Sequence, residues 1–300
     1  MAVLVSGATG FLGRQLVAKL AADGVDIVAL YRSAPPVGLA APNIRWVRFD
    51  VPEVVLDAAA YPEVDTLVHL AGETAGADVA ARAAEQFYLF ANELTTVAVL
   101  QAFAPQLRRV VLASSQVVYG AGDSLAVTEA FPLQASSAYA VSKLNSENWG
   151  RWFQSRHGGC YLALRLTGFI EGGGLVDYII ASLVAGRSVD LFSQGSVQRD
   201  YLPVEDGVRA LHLALTAQIE DGFSPINIGS GQAISARDVA NIVQEALGTD
   251  GSINLLDRPA PQGNFIFDIG TAKRLLGFEP TSLRAAIRSY AESRKPPASG

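Results

Sequence analysis

Six short apolar runs, rich in β-branched residues and set apart by longer segments, constrain this chain more than any single motif does. They are Ala2–Ser6 (AVLVS), Asp26–Tyr31 (DIVALY), Ile44–Phe49 (IRWVRF), Thr66–Ala71 (TLVHLA), Arg109–Ser114 (RVVLAS) and Tyr161–Leu166 (YLALRL). Between them, Phe11–Ala22 and Glu85–Phe103 have the length and spacing of helices. Strands with so little polar alternation are covered on both faces, the situation of a parallel strand beneath helices. Parallel neighbours joined by right-handed crossovers build a doubly wound α/β sheet.

Past residue 168 this alternation stops. Gly172, Gly173 and Gly174 make a loop, and helical patterns at Val176–Ala185, Val204–Ala217 and Ala236–Leu247 mix with short strands at Pro225–Ile228 and Ile253–Leu256. A last helix follows Thr281, and the tail beyond Arg294 (KPPASG) is expected to fray. The second half therefore reads as a smaller C-terminal α/β lobe. The expected division gives residues 1–168 and 199–230 to the doubly wound domain, and 169–198 and 231–300 to the lobe. A chain of 300 residues buries enough surface to fold without staples. Its lone cysteine, Cys160, excludes a disulfide framework and a multi-thiolate metal site, and reads as a small core residue. With 23 basic against 29 acidic residues and no basic block, a nucleic-acid partner has no electrostatic footprint. The opening MAVLVSGATGFLG has no basic flank and is interrupted by glycines, so neither a secretion signal nor a membrane span is expected. The expected location is the cytoplasm, with no membrane partner.

GATGFLG joins the first strand to the first helix, with glycines at 7, 10 and 13. A pyrophosphate rests against exposed N–H groups at a helix N-terminus, where side chains would block it. Gly7, Thr9, Gly10, Phe11, Leu12 and Gly13 are thus the candidate cradle of a dinucleotide in a Rossmann domain; the other reading is a turn that merely packs a helix. The second strand ends in Tyr31 and Arg32 rather than in an acid that would hold a ribose 2′-OH, and Arg14 follows the last glycine. A guanidinium can fork onto a 2′-phosphate, which favours NADP over NAD. Arg32 can equally be a solvated loop charge. Asp50, with Val51 beside it, ends the third strand either as an adenine contact or as a turn residue.

Tyr139 and Lys143 (YAVSK) are four residues apart and share one helix face. A phenol is a poor acid near neutrality, and a neighbouring ammonium is expected to lower its pKa. Ser114 and Ser115 close the fifth strand at its carboxyl end, where an open α/β sheet binds its ligand.

GATGFLG, HLAG (His69–Gly72), SSQVVYG and YAVSK, in this order, resemble the extended short-chain dehydrogenase/reductases of the sugar-nucleotide epimerase/dehydratase type. The resemblance continues through ALRLTGFIEGGG, VQRDYLPVEDGVRA, INIGSGQAIS and LLGFEPT, and so covers nearly the whole chain. It implies Ser115 as the catalytic hydroxyl, Tyr139 as general acid/base, and Lys143 on the nicotinamide ribose. It implies Asn92 as a supporting helix residue (otherwise an ordinary exposed one), Leu70, Ala71 and Gly72 along the coenzyme groove, and a homodimer. Ser114, Ser115, Gly168 and Arg199 are the candidate substrate contacts, Arg199 gripping phosphates unless it is spent on a turn contact with Asp200. Two departures matter. Gln116 and Val117 stand where the family's dehydratases carry acids, so dehydration is not expected, and Gly168 replaces the usual substrate-binding asparagine.

The implied function is hydride transfer to a keto group of a nucleotide sugar or similar polar ketone, with NADP, or alternatively NAD. A 4-epimerase retaining NAD is the alternative, and a catalytically inactive coenzyme sensor a third. No histidine pair has metal-ligand spacing, so no metal is expected. His69 reads as a structural residue satisfied by backbone, His157 as a cation at a helix end, and His212 as packed at the lobe interface.

Overall fold

The structure, a computed structural model, describes residues 2–51, 56–74, 84–120 and 123–295, so the end of the KPPASG tail lies outside the described residues. In chain order the first half gives Ala2–Ser6 (β1), Phe11–Ala22 (α1), Asp26–Tyr31 (β2), Ile44–Arg48 (β3), Val64–His69 (β4), Ala84–Tyr88 (α2), Thr95–Phe103 (α3), Arg109–Ser115 (β5), Ser124–Val127 (β6), Ala138–His157 (α4) and Cys160–Leu166 (β7). The second half gives Gly168–Phe169 (β8), Leu175–Val184 (α5), Val189–Leu191 (β9), Gln198–Arg199 (β10), Tyr201–Leu202 (β11), Val204–Thr216 (α6) and Gly222–Ile228 (β12). Then follow Ile234–Ser235 (β13), Ala236–Leu247 (α7), Ile253–Leu255 (β14), Phe265–Phe267 (β15), Gly270–Leu276 (α8) and Leu283–Ser293 (α9).

Seven parallel strands form the main sheet in the order β3-β2-β1-β4-β5-β7-β12. Successive side chains point to opposite faces, and each face has its own cover. Val3, Val5, Ile27, Ala29 and Leu162 meet Leu16, Val17 and Leu20 of α1 and Leu211 of α6. Leu4, Val28, Leu30, Leu67 and Val110 meet Val99, Leu100 and Phe103 of α3 and Phe153 of α4. Burial on both faces is why these strands read as apolar runs.

The chain lays β2 and β3 to one side of β1, then crosses to lay β4 and β5 on the other. At that reversal the loops leaving β1 and β4 diverge and open a crevice at the strands' carboxyl ends. The position of the ligand cleft thus follows from strand order alone.

Two elements depart from the sequence reading. The expected helix over Glu85–Phe103 is interrupted by a π-helical segment, Leu89–Leu94, between α2 and α3. The strand around Pro225 is longer than expected and runs from Gly222 to Ile228 on an edge of the main sheet, where a missing N–H is tolerated.

In the second half, Val176, Ile179 and Ile180 of α5, Val239 and Val243 of α7, and Leu283 and Ile287 of α9 share a separate apolar cluster. A four-stranded sheet, β13-β10-β15-β6, draws β6 from the first half. Among the described residues, no helix is long and apolar enough to cross a membrane.

Candidate active site

The turn after β1 works by backbone proximity. Gly7 has φ +66°, and a Cβ there would lie 2.6 Å from the Ala71 nitrogen, so a side chain would push the β1 and β4 loops apart. A Cβ on Gly13 would collide with the Gly7 carbonyl oxygen, which fixes how closely α1 approaches the turn. Gly10 caps α1 without a side-chain hydrogen bond, and the helix has no acid in its first turn. Uncapped N–H groups, helix dipole and missing side chains suit a pyrophosphate. The adjoining cleft, of about 630 Å³, is lined by Gly7, Thr9 and Gly10, by Leu70, Ala71 and Gly72, and by Tyr31, Arg32, Asp50 and Val51. A dinucleotide fits this donor set. Three candidate cradle residues are not among those lining it: Phe11 turns edge-on to Phe169 with ring centroids 5.8 Å apart, and Leu12 and Gly13 are buried.

At the far end of the cleft, Tyr31 packs edge-on to Trp46. Asp50 pairs with Arg48 at 3.6 Å. Arg32 is exposed but partnered, its Nη1 lying 3.4 Å from Glu73 Oε1.

Ser137 starts α4 by accepting the Ala140 N–H at 3.1 Å, and the helix then carries Tyr139 and Lys143 on one face. Lys143 Nζ donates to the Ala113 carbonyl at 3.1 Å and sits 5.9 Å from the Tyr139 ring centroid. Ser115, the last residue of β5, caps a short 3₁₀ turn over Gln116–Tyr119 by accepting the Val117 N–H at 3.4 Å, and its hydroxyl lies close enough to the Tyr139 phenol to act on it. The electrostatics correct one expectation. Burial pushes the Tyr139 phenol up to about 12, against the nearby Ser115 hydroxyl that lowers it, and the Tyr88 hydroxyl adds to the rise. Burial also pulls Lys143 down to about 8. Within the protein alone, desolvation dominates, and the phenol is not held acidic.

Asn92 is buried, not an exposed helix residue. Its Oδ1 accepts the Glu73 N–H at 2.7 Å, while its Nδ2 donates to the Glu73 carbonyl at 3.2 Å and to Ser142 Oγ at 2.8 Å. The π-helical segment sets it at this depth, and the loop after β4 is thereby tied to α4. His69 is satisfied by hydroxyls instead of backbone: Nδ1 meets Ser6 Oγ at 2.7 Å and Nε2 meets Thr96 Oγ1 at 2.9 Å. Burial, helped by the Lys143 ammonium, lowers its pKa to about 3.

Ser114 does not reach the cleft. Its hydroxyl donates to Glu147, which holds the buried Arg165 guanidinium at 2.7 Å. Arg199 donates to the Gly263 carbonyl at 3.0 Å and lies over the Phe265 ring, and Gly168 sits in β8 beside Tyr201. Asp200 forms no turn contact with Arg199; it accepts from Ser230 and from the Gly231 and Phe267 N–H groups. His157 ends α4 stacked on Phe153, Cys160 is buried, and His212 meets Asp23 at 3.0 Å on the α1 side instead of the lobe interface. Sequence reasoning missed Tyr88, whose ring packs on Tyr139 at 5.5 Å, and the Glu147–Arg165 pair. The pair had a signal: a carboxylate one turn beyond Lys143 and an arginine inside an otherwise apolar strand.

Comparison with known proteins is consistent across the chain. Residues 3–229 match the model of the NAD dependent epimerase/dehydratase family. The chain is 28% identical to dTDP-4-dehydro-6-deoxy-D-allose reductase of a Streptomyces species, over 96% of this chain and 94% of that protein. It is 30% identical to dTDP-6-deoxy-L-talose 4-dehydrogenase (NAD(P)(+)) of Kitasatospora kifunensis, over 95% and 93% respectively. Among solved structures, MoeE5 in complex with UDP-glucose and NAD superposes with a TM-score of 0.83 at 28% identity, covering 97% of this chain and 98% of that one.

Proposed function

The chain belongs to the NAD dependent epimerase/dehydratase family, and on that premise we propose that it is an NADP-dependent reductase of a keto group on a nucleotide sugar. The observation that carries this reading is the Ser115–Tyr139–Lys143 cluster at the end of a central strand, beside a glycine turn cut for a dinucleotide. A bound nicotinamide coenzyme supplies the hydride. Ser115 holds the carbonyl oxygen by a hydrogen bond, and Tyr139 gives it a proton as negative charge grows there. Lys143, which donates to the Ala113 carbonyl in the protein alone, would hold the coenzyme's ribose, and its charge would favour the Tyr139 phenolate. Asn92 acts behind these groups as a positioning residue.

Support for the substrate class comes from the sugar-nucleotide relatives. Arg199, whose Nη1 donates to the Gly263 carbonyl, is the candidate for a substrate phosphate, and Gly168 leaves open space beside Tyr201. Residues 1–168 and 199–230 serve the coenzyme in this reading, and 169–198 and 231–300 the substrate. Arg32 supports NADP over NAD. Gln116 and Val117 offer no carboxylate, which speaks against dehydration. The second reading is a 4-epimerase with retained NAD, favoured by the same cluster and by the family's own description. The exposed Leu89 of the π-helical segment and Val141, Trp149 and Trp152 of α4 suit a homodimer; a cytoplasmic location belongs to the same reading.

Mixing NADPH with nucleotide keto sugars tests the assignment. Stoichiometric loss of NADPH fluorescence with alcohol formation is expected. Epimerised product without NADPH loss overturns it in favour of the second reading, and binding without any product leaves a sensor.

A further inference from the structure

The ion pair between Arg32 and Glu73 crosses the mouth of the coenzyme cleft, and both residues line that cleft. The two partners are held very differently. Arg32 extends on a flexible stem with 67% of its side chain exposed, and both terminal nitrogens approach the same oxygen, Oε1, at 3.4 and 3.5 Å. Residue 73 is clamped. Its N–H and carbonyl are both taken by the buried Asn92, and the next carbonyl, of Thr74, accepts the Tyr88 hydroxyl at 3.2 Å. The backbone that carries the carboxylate is therefore held beside the cleft, while the longer Arg32 side chain can swing.

We propose that Glu73 is a specificity-determining residue, a counter-ion that competes with the coenzyme's 2′-phosphate for Arg32 and lets the site accept NAD(H) as well as NADP(H). The inference rests on the reading of Arg32 given above. When the coenzyme carries a 2′-phosphate, Arg32 leaves Glu73 for the stronger, doubly charged acceptor, and the stranded carboxylate stays near that phosphate as a like charge. When the ribose carries a hydroxyl, Arg32 keeps its carboxylate partner and no cation is left unpaired. An exposed pair is weak, so the exchange is easy in both directions. Glu73 thereby narrows the preference that Arg32 alone would impose. It is a specificity element supplied by the loop after β4 instead of by the end of β2.

Titrating the full-length protein with NADPH and with NADH, by coenzyme fluorescence, tests this on Glu73→Gln, Arg32→Ala and the double variant. Glu73→Gln is expected to tighten NADPH by about 3–5-fold and to leave NADH within about twofold, the NADPH gain shrinking in high salt. In the Arg32→Ala background that gain should fall to about twofold or less. If Arg32→Ala weakens NADPH selectively but Glu73→Gln moves neither coenzyme, or both equally, Glu73 is not a selector and the proposal is overturned while the NADP reading stands. If Arg32→Ala weakens both coenzymes equally, the NADP reading fails and takes the proposal with it.

Discussion

Lys143 spends its ammonium on the carbonyl of Ala113, 3.1 Å away on the strand that ends in Ser115. The cation thus lies near the Ser115 and Tyr139 hydroxyls, while burial holds the phenol at about 12. On the proposed reading, coenzyme binding would draw the ammonium from the Ala113 carbonyl towards that phenol.

Tyr139→Phe removes the proton donor while keeping the ring packed on Tyr88. Turnover should fall by about 10²–10⁴-fold with NADPH affinity little changed. Steady-state rates with a parallel fluorescence titration check this; an unchanged rate removes Tyr139 from the chemistry.

The pKa of Lys143 sets a pH limit on binding. Burial holds it at about 8 in the protein alone, below the ordinary 10.5, so above pH 8 a proton must be taken up as the lysine meets the ribose. NADPH affinity should decline above that pH by up to about tenfold per pH unit. Lys143→Met should bind more weakly at neutral pH and show a flatter profile.

His69 makes the fold sensitive to acid. Its folded pKa of about 3 lies below the ordinary 6.5, so between these values the unfolded chain holds a proton that the folded chain refuses. Stability is therefore present above pH 6.5 and lost as pH falls towards 3, by about 1.4 kcal/mol per pH unit from this group. Urea denaturation from pH 7 to 4 should show that slope, and His69→Gln should reduce it.

Glu147 and Arg165 are both almost wholly buried. Glu147→Ala strands a guanidinium in the core and should cost about 3–5 kcal/mol. Replacing both by Met should recover much of that loss, which thermal or urea unfolding of the single and double variants reads directly.

What the sequence discloses of this fold is what local patterns encode. Apolar runs identify strands, glycine spacing identifies the turn, and an i,i+4 pair puts Tyr139 with Lys143. What it hides is set by distant neighbours. Ser114 and Ser115 are adjacent on one strand and alternate sides, and only the packing of α4 shows that Ser115 lies by Tyr139 while Ser114 donates to Glu147. The Arg32–Glu73 pair spans 41 positions, and nothing local predicts it. The hydroxyl partners of His69 come from β1 and α3, where no spacing rule could have found them. The π-helical segment that buries Asn92 is equally invisible to a 3.6-residue period.

Isotope tracing examines the chemistry most directly. Protein supplied with NADPH deuterated on the transferred face of its nicotinamide, together with a nucleotide keto sugar, should yield a sugar alcohol carrying the deuterium on the former carbonyl carbon, one label for each NADP formed. Deuterium that stays with the coenzyme, while the sugar is unchanged or emerges only epimerised, would contradict the assignment of a reductase.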